Sequence, residues 1–124
     1  MEKTEKPKFR EWFTSSGKYV VAGKNSKNNE EVIAQVEPNE TVLHTALPGS
    51  PFVNIKGIAK KEDIRDAAIF CAKYSQAWRD TKSDVKIHVF RGKDIYKEKD
   101  MDEGTFGVKK FSEIVAKKKD IELI

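Results

Sequence analysis

The sequence predicts an α+β domain, a mainly antiparallel sheet with two helices packed on one face. Three observations predict it. Short runs rich in Val, Ile and aromatic residues follow one another with Ser-Gly or Pro-Gly punctuation between them, as hairpin-linked strands do. One long stretch, Lys61 to Arg79, carries its apolar residues at helical spacing. A shorter apolar stripe, Val32, Ile33 and Val36, lies between a cluster of capping residues and Pro38. At 124 residues the chain has the length of one domain that can bury its own core.

Each element has its own warrant. Residues 1–8 are polar and are expected to form a flexible N-terminus, leaving 9–124 as a single domain without internal repeats. Lys8 to Thr14, with Phe9, Trp12 and Phe13, reads as a strand, Ser15-Ser16-Gly17 as a turn, and Lys18 to Gly23 as a second strand. Asn25 or Ser26 is suited to cap the first helix, and Glu30 and Glu31 near its first turn suit the helix dipole. Thr41 to Leu47 reads as a third strand, Pro48-Gly49-Ser50-Pro51 as a turn, and Phe52 to Lys56 as a fourth strand. Within Lys61 to Arg79, Ile64, Ala67, Ala68, Cys71, Ala72, Ser75 and Trp78 share one face, and its small residues allow close approach to a sheet. Asp84 to Arg91 alternates Val85, Ile87 and Val89 with Lys86, His88 and Phe90, the pattern of a half-exposed strand. Gly104 to Phe111 reads as a further strand, Ser112 to Lys119 as a helical turn or irregular link, and Asp120 to Ile124 as a short last strand.

Composition narrows the function classes. The chain has 24 Lys and Arg against 20 Asp and Glu, a net charge of +4, which favours an anionic partner without requiring one. One cysteine, Cys71, rules out a disulfide within the chain and a cysteine-based zinc site. The charged start Met1-Glu2-Lys3 has no apolar core of a signal peptide, and no apolar run has membrane-spanning length. A cytoplasmic protein without a membrane partner is expected, and no metal or cofactor is indicated.

The segment Gly23 to Glu30 carries the chemistry. Lys24, Asn25, Ser26, Lys27, Asn28 and Asn29 all donate hydrogen bonds, two of them with charge, at the start of a helix where free N–H groups and the dipole favour an anion. A phosphate or an RNA backbone fits such a set, and so does a capped helix with a solvated loop. The spacing is not that of a P-loop. His44, near the end of the third strand, is either a satisfied structural residue or a partner of Thr45 and Ser50. Trp78 is a core anchor or a platform for a base. Lys109-Lys110 suits a binding surface, whereas Lys117-Lys118-Lys119 reads as a solvated run.

Several elements, in order, resemble one family. Phe9-Arg10-Glu11-Trp12-Phe13 through Gly17, then Gly23-Lys24-Asn25 and Asn29-Glu30, resemble the opening of NFACT-R, the RNA-binding domain of the NFACT proteins. His44-Thr45-Ala46-Leu47-Pro48-Gly49-Ser50 resembles its second element, Cys71 to Trp78 its Ser-x-Ala-Trp helix, and Gly104 to Lys110 its last strand motif. The chain departs from the pattern at Asn25, where many members have Asp, at Ala46 for Asp, and at Pro48 for His. The resemblance covers residues 9–111 and implies a stand-alone member, since the large N-terminal domain, helix-hairpin-helix pair and coiled coil of full-length members have no counterpart in this sequence.

The resulting expectation is a non-enzymatic RNA-binding module linked to translation or ribosome quality control. Its partner would be tRNA or rRNA, with the ribosome itself a candidate. Lys24, Asn25, Asn28, Asn29 and Glu30 would form the binding segment, His44, Thr45 and Ser50 its neighbouring wall, and Lys109 and Lys110 an extension of the positive surface. Two other classes stay open, a protein-interaction adaptor and an RNA-processing enzyme with His44 as general base.

Overall fold

A computed structural model describes residues 7–124; of the N-terminus expected to be flexible, residues 1–6 lie outside the described residues. Six strands form the main sheet: β1 (Arg10–Phe13), β2 (Tyr19–Ala22), β3 (Thr41–Thr45), β4 (Val53–Ile55), β5 (Val85–Arg91) and, after a small hairpin, β8 (Ser112–Ala116). Their order is β1-β2-β4-β3-β5-β8, and every neighbouring pair is antiparallel. The small hairpin joins β6 (Ile95–Tyr96) and β7 (Gly107–Val108) in a separate two-stranded sheet. The helices are α1 (Ser26–Ala34), α2 (Lys61–Lys73), α3 (Gln76–Thr81) and α4 (Lys118–Ile121).

Strand alternation divides the core into two layers. Val42 and Leu43 are consecutive in β3 and point to opposite faces. On the face of Leu43, the residues Val20, Ala22, Val53, Ile55, Val85 and Ile87 pack against α2, Trp78 and Ile121. Ala67, Ala68, Cys71 and Ala72 of α2 are at most 2% exposed, so the small-residue stripe does lie close against the sheet. Enlarging one of these side chains is expected to cost about 1–3 kcal/mol through overpacking. On the other face, Val42, Phe52 and Phe90 pack against Val32 of α1, with Ile95, Phe106 and Val108 of the hairpin alongside.

The α+β, mainly antiparallel expectation therefore holds, with four helices among the described residues rather than two and with α1 on the face opposite α2. The long helix expected over Lys61 to Arg79 breaks at Ser75. The Ser75 side chain leaves the α2 register and accepts from the Trp78 N–H at 3.2 Å, so it caps α3. The segment Ser112 to Lys119 is a strand followed by the start of a helix. Ile114 and Ala116 pair with Ile87 and Val85 and face the α2 layer, so tertiary pairing decides a stretch that local pattern left open. The strand expected from Gly104 to Phe111 shrinks to Gly107–Val108, and the last strand expected at Asp120 to Ile124 is instead occupied by the end of α4.

The turn between β1 and β2 is fastened to α2. Asp63 is fully buried and accepts from the Thr14 hydroxyl at 2.7 Å, the Ser16 hydroxyl and the Lys60 N–H at 2.8 Å. Burial opposes its ionisation, but these donors together hold its carboxyl below the usual carboxylate range. Asp66, one turn on, accepts from the N–H and hydroxyl of Ser15 at 2.8 and 2.6 Å. Among the described residues no helix is long and apolar enough to cross a membrane.

Candidate functional site

The polar segment after Gly23 is a knot of specific hydrogen bonds. Asn25 is the N-cap of α1, its side chain accepting from the Asn28 N–H at 2.8 Å. Asn28 turns its own amide oxygen back to the Lys24 N–H at 2.9 Å. Asn29 reaches the other way: its oxygen accepts from the Phe52 N–H at 3.1 Å and its amide nitrogen lies 3.5 Å from the Ser50 carbonyl. Gly23 makes room for this, since a Cβ there would meet the Asn29 amide oxygen at 1.9 Å. Glu30 and Glu31 fall one turn later than expected, because α1 starts at Ser26. The Glu30 carboxylate accepts from Lys97 at 2.8 Å and from the Gly104 N–H at 2.7 Å, pinning the loop after β6 to α1. The Lys97 bond first, and the Gly104 bond with it, hold Glu30 below the ordinary carboxylate range.

Two clefts open on either side of this knot. The smaller, about 220 Å³, is lined by Arg10, Lys24, Asn25, Tyr74 and Arg79, with three cations and no carboxylate among the described residues. The Arg10 guanidinium lies over the Tyr74 ring at 4.4 Å and donates to the Gly23 carbonyl at 3.4 Å. Arg79 donates to the Gln76 side chain at 3.0 Å and to the Tyr74 carbonyl at 3.4 Å. The Gln76 N–H in turn donates to the Gly49 carbonyl at 2.7 Å, which ties α3 to the turn after β3. The Lys24 ammonium donates to the Pro7 carbonyl at 2.7 Å.

The larger cleft, about 550 Å³, carries aromatic rings: His44, Phe52, His88, Phe90, Phe106 and Phe111. Among the described residues it contains no Lys or Arg, and its one acidic side chain is Glu103. His44 packs on Phe52 with ring centroids 4.5 Å apart, and Phe52 meets Phe106 edge-on at 5.4 Å. Across the sheet His44 is paired with His88, which stacks on Phe111 at 4.1 Å and reaches Glu113 at 3.2 Å. Ser26, Asn29, Gly49 and Ser50 line both clefts and form the wall between them.

His44 is held in one tautomer. Its Nδ1 lies 2.7 Å from the Thr45 carbonyl, an acceptor, so Nδ1 carries the proton and Nε2 the lone pair. Burial pushes its pKa below the ordinary value of 6.5 and outweighs that carbonyl's opposite pull, so the ring is neutral at physiological pH. Ser50 is used on both sides, accepting from the Thr45 N–H at 3.2 Å and donating to the Pro51 carbonyl at 2.8 Å. Cys71 lies behind it, 3.5 Å from the Ser50 hydroxyl, and burial pushes its thiol up to about 12, far from a reactive thiolate. Among the described residues there is no cluster of three or more potential metal ligands.

The fold thus brings together Lys24, Asn25, Asn29 and Ser50 at the cationic cleft, and Asn29, His44 and Ser50 at the aromatic one. Thr45 is buried, its hydroxyl given to the Leu47 carbonyl at 2.6 Å. Asn28 and Glu30 are engaged in the knot. Lys110 lines a different cleft, with Thr41, Arg91 and Asp94, and exposed Lys109 donates its N–H to the Asp94 carbonyl at 2.8 Å. Arg10, Tyr74, Arg79 and the phenylalanines escape notice in the sequence, because each sits in an element read for packing alone. Arg79, directly after Trp78, carries the one available signal, a cation just beyond a core anchor that is 5% exposed.

With this geometry in place, the chain matches the family described as the NFACT protein RNA binding domain over residues 8–110. It is 33% identical over 76 residues to an archaeal Rqc2 homolog, aRqcH, of Methanocaldococcus jannaschii, a match covering 58% of this chain and 11% of that protein. It is similar in fold to the C-terminal part of the fibronectin/fibrinogen-binding protein from Streptococcus suis, with a TM-score of 0.81 and 21% identity, over 99% of this chain and 51% of that one.

Proposed function

The chain belongs to the family of NFACT protein RNA binding domains, and from that membership we propose that it is an RNA-binding module of ribosome quality control. Transfer RNA or ribosomal RNA is the partner, and the cytoplasm the compartment. One observation carries the proposal beyond family: among the described residues, the cleft beside the amino end of α1 holds three cations and no carboxylate. Arg10, Lys24 and Arg79 converge there from β1, the loop before α1, and α3. That arrangement suits a run of phosphates, with the guanidiniums available for bidentate contact and the helix dipole favouring the same charge. Lys109 and Lys110, beyond β7, would add a separate basic patch beside a third cleft. Glu30, Asn28 and Thr45 support the site by fixing the loops around it. The protein binds rather than cleaves: His44 is oriented by a backbone carbonyl, not by a carboxylate that would stabilise the imidazolium of a general base.

Fluorescence anisotropy with total tRNA across graded KCl tests this. Neutralising three phosphates gives a slope of log affinity against log salt of about −2 to −3. The double variant Lys24→Ala with Arg79→Ala reduces the magnitude of that slope by about 1.5. An affinity without salt dependence, or a slope untouched by the double variant, overturns the reading.

A further inference from the structure

Resting on the RNA-binding reading, we propose that the aromatic cleft is a pocket for one unpaired nucleobase, next to the phosphates held in the cationic cleft. The two clefts share a wall of Ser26, Asn29, Gly49 and Ser50, so a strand crossing that wall meets cations on one side and rings on the other. The division of charge favours this occupant. A phosphate finds no Lys or Arg among the described residues of the aromatic cleft, and Glu103 at its edge repels it. A base is uncharged, has two π faces and carries N–H donors on its Watson–Crick edge. His44 Nε2, with its lone pair, and the Glu103 carboxylate are acceptors for those donors.

Size and exposure agree. The cleft, about 550 Å³, lies within the usual range of about 300–1,000 Å³ for ligand pockets and exceeds what one base fills. At its rim Phe111 is 54% exposed and Leu47 63% exposed, large apolar surfaces with no cover among the described residues. Phe111 is already stacked on His88, so its ring is held in place by a neighbour and needs little ordering to receive a base. A duplex keeps its Watson–Crick edges and π faces inside the stack, and so presents nothing for this cleft to hold.

The test compares a ten-nucleotide single-stranded RNA, the same strand annealed to its complement, and an aromatic-rich acidic peptide, each by anisotropy at fixed salt. The single strand is expected to bind about tenfold more tightly than the duplex. Phe111→Ala removes most of that difference, a loss of roughly tenfold for the single strand, while leaving duplex affinity and the salt slope unchanged. Phe111 is largely exposed, so the variant keeps its core, and circular dichroism checks this. Replacing the centre of the single strand with abasic positions has the same effect on the wild-type protein. If single strand and duplex bind alike, and Phe111→Ala changes neither, the base pocket is overturned while salt-sensitive RNA binding stands. If no RNA binds with salt dependence, the RNA-binding reading falls and the pocket with it. If the peptide binds, Phe111→Ala abolishes that binding, and single-stranded RNA does not compete, the cleft is a protein-docking site instead.

Discussion

The two clefts differ in what builds them. The cationic cleft is assembled from distant charged ends: Arg10 on an edge strand, Lys24 in a loop and Arg79 on a short helix. The aromatic cleft grows out of the core itself. Phe52 and Phe90, at 4% and 5% exposure, are its floor, and the hairpin carrying Phe106 and Val108 is its side. Charge at a surface is cheap to place and easy to lose, whereas a ring in a core layer is fixed by packing. On the proposed reading, the cationic cleft would supply strength and salt dependence, and the aromatic cleft the shape that tells one RNA form from another.

The shared wall is where the comparison breaks most severely. Asn29→Ala removes the acceptor of the buried Phe52 N–H and opens a gap beside Gly23. An unpaired buried donor costs about 1–3 kcal/mol, so the variant loses that much stability by urea denaturation and weakens single-strand and duplex binding together. Asn29→Asp keeps the Oδ1 acceptor and restores most of the stability. A variant that weakened only one form of RNA would show that the clefts do not depend on a common wall.

Next in size is the effect of Glu30, which touches one cleft only. Its carboxylate holds Gly104, and Gly104 with Glu103 and Phe106 sides the aromatic cleft. A Cβ on Gly104 would stand 2.8 Å from the Ser26 backbone, and its φ of +81° already favours glycine, so the loop is held at close quarters. Glu30→Ala is expected to lower the single-strand preference severalfold, speed hydrogen exchange at the Gly104 N–H, and leave the salt slope alone. The Glu30 pKa is lowered on folding, so its contribution to stability is full above the ordinary value of 4.5 and is lost as pH falls through the lower folded value. The wild-type protein loses the loop's protection in that acid window, and Glu30→Ala shows no such pH step.

These dependencies explain what could be read in the sequence. The hairpin of β1 and β2, the cap at Asn25 and the strands around Val42 and Val53 were legible because local pattern and tertiary need agree there. Ser75 falls at helical spacing with the α2 face, although a Ser preceding Gln-Ala-Trp is also an N-cap, and the Gln76 N–H donating to the Gly49 carbonyl draws the chain to the cap. The strand β8 carries only Ile114 and Ala116 on its inward face, too little alternation to be seen, and its partner β5 supplies the rest. At the site, the polar run after Gly23 was conspicuous because it is contiguous. Its asparagines fasten one another and the Lys24 and Phe52 N–H groups, while two of the cations that line the cleft beside them, Arg10 and Arg79, stand 13 and 56 residues away from Gly23 in the chain, too far for any spacing rule to connect.

The smallest expected effect is a pH dependence that separates the clefts without any substitution. The cationic cleft holds Arg and Lys, which stay charged from pH 7.5 to 5.5. In the aromatic cleft His44 faces His88 across the sheet, Glu113 beyond it, and Glu103 from the opposite loop. Burial lowers the His44 pKa below 6.5, so the folded protein takes up this proton less readily than the unfolded chain. Stability from this group is then complete above pH 6.5 and drains as pH falls from 6.5 towards the folded value. As pH passes below that folded value, protonation turns Nε2 from an acceptor into a donor and removes one hydrogen bond to a bound base, an effect of about 0.5–1.5 kcal/mol. The single-strand preference is expected to fall by about threefold as pH drops through the folded value, with duplex affinity steady. His44→Phe, which keeps a ring on Phe52, removes the dependence, and His88→Gln preserves it. Should the dependence survive in His44→Phe, His44 contributes only its ring face.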